Sequence, residues 1–537
     1  MISYFKRNKR LFLFTFIFFL IQLPFLDQLS LLRGERDIVL SGFSLAKTGK
    51  DLYGKLFSLE FLGIDPFVPF VPIYIAALWW LIIPIKTVFL ARLLFVLLSL
   101  SLPFLIYEIV KHIIRNERIS FWTSVVFCLS PGVFHLTRLT LEIGVAFPLL
   151  LGGILAFLKK KRIVSYLFFF LSFFSYHGFR PLIPVLLLYL EIFDYVQKKE
   201  LSIFIKKSIV HILFFLGLVL ISIVIDGRLM KERISDVAFS GFGKWSNEII
   251  YNRNTSVAPQ LVASVFDNKI TAMLQYMRDV VIRGIDLRYL FLIGDESSLY
   301  ATTFTGQFFI TSMLFYFLGI LLLGKKLKWS YYYIVGFIAV GLVPSIVNIS
   351  YVSYSIRSIL SSVGFAFIIA YGLVGFIDFL KTQKPVIKKL IMTVIFLSLL
   401  IEITFFVYNY YARRFITMSE MFFESERRIA QYMINHPNPY KIYTNNPRSI
   451  YFSYLFFNNK VDMTKAQGVT KKGAPYTIDG FEIAVCPNNP QFTKKMEIIM
   501  DACLTEKGYD QIQEQTKPND VIPYTNYSFR NAYFIFD

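Results

Sequence analysis

Charge is scarce in this sequence. Asp, Glu, Lys and Arg make up 17% of 537 residues, below the roughly 25% of a soluble globular domain. Most of the chain therefore cannot be a water-facing fold. The marks of nucleotide chemistry are missing too: there is no P-loop and no G-x-G-x-x-G. Only five histidines occur, none in an H-E-x-x-H spacing. No Ser-His-Asp order or Cys/His arrangement points to a covalent nucleophile. No fixed-period repeat or low-complexity tract is present. Of the three cysteines, Cys128 lies in an apolar run; Cys486 and Cys503 lie in the tail and can pair if the tail is outside. What is abundant is apolar surface: 55% hydrophobic and 18% aromatic residues, with a mean hydropathy of +0.55.

That composition belongs to a polytopic α-helical membrane protein with some soluble mass attached. Apolar runs of about 20 residues suit a bilayer. The candidate spans are 11–26, 87–110, 119–134, 142–158, 163–176, 181–197, 206–225, 306–323, 331–346, 357–379 and 390–409, about 11 transmembrane helices. The net charge of +20 sits largely in short connecting clusters, such as Lys159-Lys160-Lys161-Arg162 and Lys325-Lys326-Leu327-Lys328. This is the positive-inside bias rather than a nucleic-acid surface. Six such clusters share one side if Phe67–Pro84 is refused as a span; counting it would turn the five later ones outward. Phe67–Pro84 is then a surface segment, and its Trp79-Trp80 pair suits the membrane interface. The first span reads as an uncleaved anchor, because Phe25-Leu26-Asp27-Gln28 lacks a small-x-small cleavage site. The N-terminus is cytoplasmic on this count. Residues 1–410 form the membrane domain, with large outer loops at 27–86 and 226–305. Residues 411–537 form a small extracytoplasmic α/β domain, with strands expected at Lys441–Thr444 and Phe481–Val485 and helices at Glu420–Ile434 and Lys494–Leu504.

The outer loops hold the residues able to do chemistry. The first contains Arg33-Gly34-Glu35-Arg36-Asp37, followed by an amphipathic segment Ile38–Lys47 and a Thr48-Gly49 turn. Asp37 at that helix's N-terminus is a cap, a base, or both; Glu35 is the neighbouring acid. In the second outer loop, Arg138 and Glu142 are four apart, which is an ion pair on one helical face if the segment is helical. Glu142 also enters an apolar span, where an ionisable group points to function. Arg180 in the third outer loop and Arg357, after Ser353-Tyr354-Ser355-Ile356, head later spans. Both run against the positive-inside trend, and guanidinium matches phosphate oxygens. His135 and His177 share the outer face with Glu142 and supply the one alternative metal site.

These residues resemble a family pattern. It consists of one span, an acidic outer loop with a small-polar helix and Thr-Gly turn, a proline- and aromatic-rich surface segment, and Arg92 opening the next span. Ser130-Pro131, the Arg-x-x-x-Glu loop and Phe291-Leu292-Ile293-Gly294-Asp295 complete it. The chain resembles GT-C membrane glycosyltransferases, in the branch of protein O-mannosyltransferases, aminoarabinose transferases and bacterial RgtA/B/C/D-like proteins. One departure is that Asp37 is followed by Ile38, where the family often has a second acid. The resemblance implies a polyprenyl-phosphate sugar as donor and a glycan, lipid or protein as acceptor. It also implies transfer of a hexosyl or pentosyl group by inverting displacement at the outer face of the cytoplasmic membrane. Under it, Asp37, Glu142 and Glu35 are the catalytic candidates, and Arg138, Arg180 and Arg357 the phosphate ligands. No cofactor is required, a divalent cation being the alternative. The competing readings are a transporter or flippase for lipid-linked sugars, an O-antigen-type polymerase or ligase, and a scaffold for the tail.

Overall fold

The computed structural model describes residues 8–62, 66–236, 242–295, 299–300, 302, 304–325, 328–348, 354–487, 496–504, 518–525 and 530–536. Lys326-Leu327, Ser353, Lys494 and parts of the 226–305 loop, all named above, lie outside them, as does the basic pair Lys6-Arg7 before the first span. By packing, the chain divides into two compact units. One comprises 1–22, 97–137 and 143–407; the other comprises 23–96, 138–142 and 408–537.

Helices run through each of the apolar stretches. Among the described residues, five are long and apolar enough to cross a bilayer: Val88–Ile114, Leu201–Ile225, Trp329–Val347, Ile359–Lys381 and Pro385–Thr417. A sixth candidate is Glu117–Cys128 with Pro131–Thr137, bent by 66° where Ser130-Pro131 interrupts the chain. Pro131 there starts the second helix, the position where its missing N–H costs nothing. Phe70–Ile82, within the refused stretch, has 13 residues. At 1.5 Å per residue it spans about 20 Å, short of a roughly 30 Å hydrocarbon core.

In the first unit, glycines let helices approach closely. A side chain at Gly319 would sit 2.1 Å from the Ile368 carbonyl oxygen, and one at Gly372 would sit 1.9 Å from that of Phe315. The Thr311–Lys325 and Ile359–Lys381 helices thus meet backbone to backbone, the small-residue packing that membrane helices favour.

The second unit joins the first loop to the tail. Its central helix is Arg33–Thr48, closed by Gly49 at φ +69°, whose N–H returns to the Leu45 carbonyl. That left-handed C-cap is the Thr-Gly turn expected from sequence. Phe70–Ile82 packs on this helix through Gly42, where an added Cβ would lie 2.8 Å from Ala76 Cβ. Phe43 meets Trp80 edge to face at 6.1 Å. Trp80 is therefore core, 1% exposed, and not the interfacial anchor expected. Among the described residues, β1 (Phe61–Leu62) and β2 (Pro66–Val68) form a small antiparallel pair. The tail sheet comprises β3 (Lys441–Thr444), β4 (Tyr476–Ile478), β5 (Phe481–Val485), β6 (Glu497–Met500), β7 (Asp520–Pro523) and β8 (Asn531–Phe536). Its order is β4-β5-β3-β6-β8-β7, with β3 parallel to both β5 and β6. The helix expected over Lys494–Leu504 is instead β6 followed by a 3-10 turn at Asp501–Cys503. Ile498 and Ile499 favour a strand, and β3 and β8 flank it on both edges. A disulfide joins Cys486 to Cys503.

Candidate active site

The Arg33–Thr48 helix starts earlier than the sequence suggested, and this reassigns its acids. Asp37 is not a cap; it lies four residues beyond the first helical position, wholly buried. Glu35 occupies the capping position, and its Oε2 accepts the Leu32 N–H at 2.8 Å. Arg92 donates to both Glu35 oxygens, from Nε at 2.9 Å and NH2 at 2.8 Å. The Thr140 N–H adds a fourth bond at 2.8 Å. A carboxylate has about four lone-pair sites, so Glu35 is saturated. Arg92 is saturated as well, since its remaining N–H groups reach the carbonyls of Leu26, Leu29 and Ser30 at 2.7–2.9 Å. The pair is a buried hub that ties the 138–142 segment to the first loop.

Gly34, Asp37, Ser41, Ser44 and Thr48 recur at alternating intervals of three and four, and so line one face. At its far end Gln467 donates to Ser44 Oγ at 2.9 Å and Thr48 Oγ1 at 2.8 Å. At the near end nothing lies within 4 Å of where a Cβ on Gly34 would be. Open space therefore sits one turn from Asp37 on Asp37's own face. Arg33, next to Gly34 in the chain, has its guanidinium 5.0 Å over the Phe423 ring. Its buried Nε has no hydrogen-bond partner among the described residues. Arg36, one residue before Asp37, lies over the same ring at 5.2 Å. It donates to Glu426 at 2.7 Å, to the Ser449 carbonyl at 2.8 Å, and to the hydroxyl of Ser453.

Arg138 and Glu142 are not on one helix. Pro131–Thr137 ends before Arg138, and the next helix begins at Glu142; the i,i+4 argument lapses for that reason. Arg138 donates to Tyr411 Oη at 2.9 Å and to the Pro24 carbonyl at 2.6 Å. It also lies over the rings of Tyr410 and Tyr411. Arg414, passed over in the sequence, is 2% exposed and within electrostatic reach of Arg92, Arg138 and Glu35. The signal was there: Asn409-Tyr410-Tyr411-Ala412-Arg413-Arg414 sets two arginines just past the last apolar run; Arg413 ends a π-helical turn, a feature frequent at functional sites, and Arg414 starts the α-helix that follows.

Two further buried groups of this unit were not anticipated. Asp51 accepts the Tyr53 and Lys55 N–H groups at 2.9 Å, yet burial raises its pKa. Lys86 donates to the carbonyls of Leu455 and Asn458 and lies 4.6 Å over Phe43. Burial, with Lys47 nearby, pushes its pKa down to about 7.

The remaining candidates belong to the first unit. Arg180 NH1 donates to Ser222 Oγ at 3.0 Å, and its guanidinium lies 5.4 Å over Phe173. Arg357 ends the Tyr354–Arg357 turn, with NH1 buried and without a hydrogen-bond partner among the described residues. His135 is buried, its Nε2 3.0 Å from the Leu299 carbonyl; His177 lies just before the Phe179–Lys198 helix. Among the described residues no three His, Cys, Asp or Glu side chains are grouped to hold a metal.

No family model and no curated protein matches this sequence. Several solved structures are similar in shape. ArnT from Cupriavidus metallidurans bound to undecaprenyl phosphate matches over 98% of both chains, at 10% identity and a TM-score of 0.47. The oligosaccharyltransferase AglB from Archaeoglobus fulgidus, in complex with an inhibitory peptide and a dolichol-phosphate, matches 84% of this chain at 10% identity and a TM-score of 0.45. This chain spans only 64% of that protein's length. At such identities and scores, what those proteins bind decides nothing about this one.

Proposed function

We propose that this chain is a membrane glycosyltransferase that moves a sugar from a polyprenyl-phosphate donor to an acceptor hydroxyl at the outer face of the cytoplasmic membrane. The observation that carries the reading is the asymmetry of the Arg33–Thr48 helix. One acid, Glu35, is saturated by structure. The other, Asp37, is buried on a small-residue face, one turn from the open space at Gly34.

In the reaction proposed, the acceptor oxygen attacks the anomeric carbon and its proton passes to Asp37. The bond from that carbon to the phosphate oxygen breaks, and polyprenyl phosphate leaves. A single displacement inverts the anomeric centre. A positioned base contributes about 10²–10⁴ in rate. The phosphate is already a good leaving group and needs its charge balanced more than it needs a proton. Arg33 joins Arg138, Arg180 and Arg357 as candidates for that balance. Glu142 positions the acceptor or orients an arginine. His135 and His177 enter only if a cation takes part.

Eleven spans with a cytoplasmic N-terminus account for all the basic clusters. Residues 1–410 then supply the membrane region and 411–537 the outer tail. The Cys486–Cys503 disulfide supports an oxidising, outer location for that tail. The test is sugar transfer from synthetic short-chain polyprenyl-phosphate sugars by purified protein, wild type beside Asp37→Asn, with and without chelator. Turnover lost in the variant and indifferent to chelator is expected. Turnover that survives Asp37→Asn removes Asp37 as base. No turnover with any donor returns the transporter reading.

A further inference from the structure

We propose that the fourth outer loop is a membrane-surface element: its Gln260–Phe266 and Lys269–Gly284 helices lie with one apolar face in the headgroup region of the bilayer. The exposure of that face is extreme for a loop in water. Leu261 is 79% exposed, Phe266 69%, Ile270 67%, Val265 58% and Leu274 55%. Contiguous apolar surface of this kind marks a partner or a membrane. The turn between the two helices is tied to the preceding Phe242–Thr255 helix, because Arg253 Nε donates to the Asp267 carbonyl at 2.7 Å. Asn268 caps the second helix through the Ile270 and Thr271 N–H groups.

Two observations select lipid as the occupant. The first is where the loop is fastened. Gly284 packs so closely that a Cβ there would lie 2.4 Å from Leu342. The Tyr354 hydroxyl donates to the Val280 carbonyl at 3.1 Å, and the Tyr276 hydroxyl to that of Asn348. Leu342 and Asn348 belong to the last turns of the Trp329–Val347 candidate span and its end. The back of the Lys269–Gly284 helix is thus fixed at the depth where a span meets the surface. The second is continuity. The chain reaches the loop from Leu201–Ile225, only 17% of whose apolar window is buried, so lipid already covers the approach. An amphipathic helix at that level buries its apolar face about 5–10 Å into the headgroup boundary.

The inference rests on the membrane reading, not on the transfer reaction. Cys128 is buried and the other two cysteines are bonded, so an introduced cysteine is the accessible thiol. Leu261→Cys and, separately, Phe266→Cys are labelled with an environment-sensitive fluorophore in full-length protein in nanodiscs, with Gln275→Cys as the exposed polar control. Lipids spin-labelled near the headgroup are expected to remove most of the fluorescence at 261 and 266 but little at 275. Quenching at 261 and 266 by aqueous iodide, with none by the lipid label, overturns the proposal. So does fluorophore self-quenching that appears only when a nanodisc holds two copies, which would make the face a protein interface. Neither result depends on whether sugar is transferred.

Discussion

Replacing Glu35 with glutamine separates architecture from chemistry. The wild-type carboxylate takes four hydrogen bonds, two of them from Arg92, and both side chains are nearly inaccessible, at 0% and 5%. Glutamine keeps the shape but loses the charge and turns one acceptor into a donor. That NH2 then faces an N–H group, leaving buried donors unmet and the guanidinium without its counter-charge. Breaking one partner of a buried pair costs about 3–5 kcal/mol. A membrane protein of this size unfolds irreversibly, so the quantity to follow is survival as a monodisperse species after heating. Glu35→Gln should fall apart well below the wild-type temperature, with activity falling in step. Asp37→Asn, which leaves the Glu35–Arg92 bonds intact, should lose turnover with a smaller loss of heat resistance than Glu35→Gln. A Glu35→Gln protein as heat-resistant as wild type but inactive would refute this division and return Glu35 to the chemistry.

Other outcomes follow from the same unit. Lys86 has a folded pKa near 7, below the unfolded value of about 10.4. Between those values the unfolded chain binds more protons, so stability rises with pH through the window and its Lys86 share is lost as pH falls to about 7. Subtracting the pH–melting profile of Lys86→Met from that of wild type should isolate this slope, and a flat difference would contradict the assigned burial. Arg36→Ala removes a 2%-exposed guanidinium and its bonds to Glu426, Ser449 and Ser453. It should destabilise the fold by about 3–5 kcal/mol as a broken buried pair, seen as faster limited proteolysis of the tail; an unchanged cleavage rate would count against that role. Reducing Cys486–Cys503, which closes a 17-residue separation, should lower stability by about 3 kcal/mol on loop entropy. Comparing melting with and without reductant, against Cys503→Ala, checks it.

The parts of the fold legible in the sequence were those set by local rules. Apolar stretches became helices, Gly49 closed the first-loop helix, and Ile442 and Ile483 lie in strands read from alternation. The parts that were not legible depend on partners distant in the chain. Residues 494–504 look helical until the edges of β3 and β8 are supplied, and then Ile498-Ile499 settles as strand. Trp80 reads as an interfacial ring until Phe43 is placed against it. Arg36 and Lys86 read as loop cations, yet their partners lie 390 and 369 residues away.

The same limit applies to the two first-loop acids. Glu35 and Asp37 are two positions apart, and a helix turns about 100° per residue, so their side chains leave the axis about 200° apart. They cannot serve one reacting centre together. Sequence composition treats them as equivalent carboxylates in one motif. Only the positions of Arg92 and of the Thr140 N–H distinguish them, and both donors converge on Glu35. An acid whose oxygens are all engaged by structural donors has none left to meet an acceptor hydroxyl, which suits a hub rather than a base. By that argument the search for a base on this helix moves to the opposite face, where Asp37 lies one turn from the open space at Gly34.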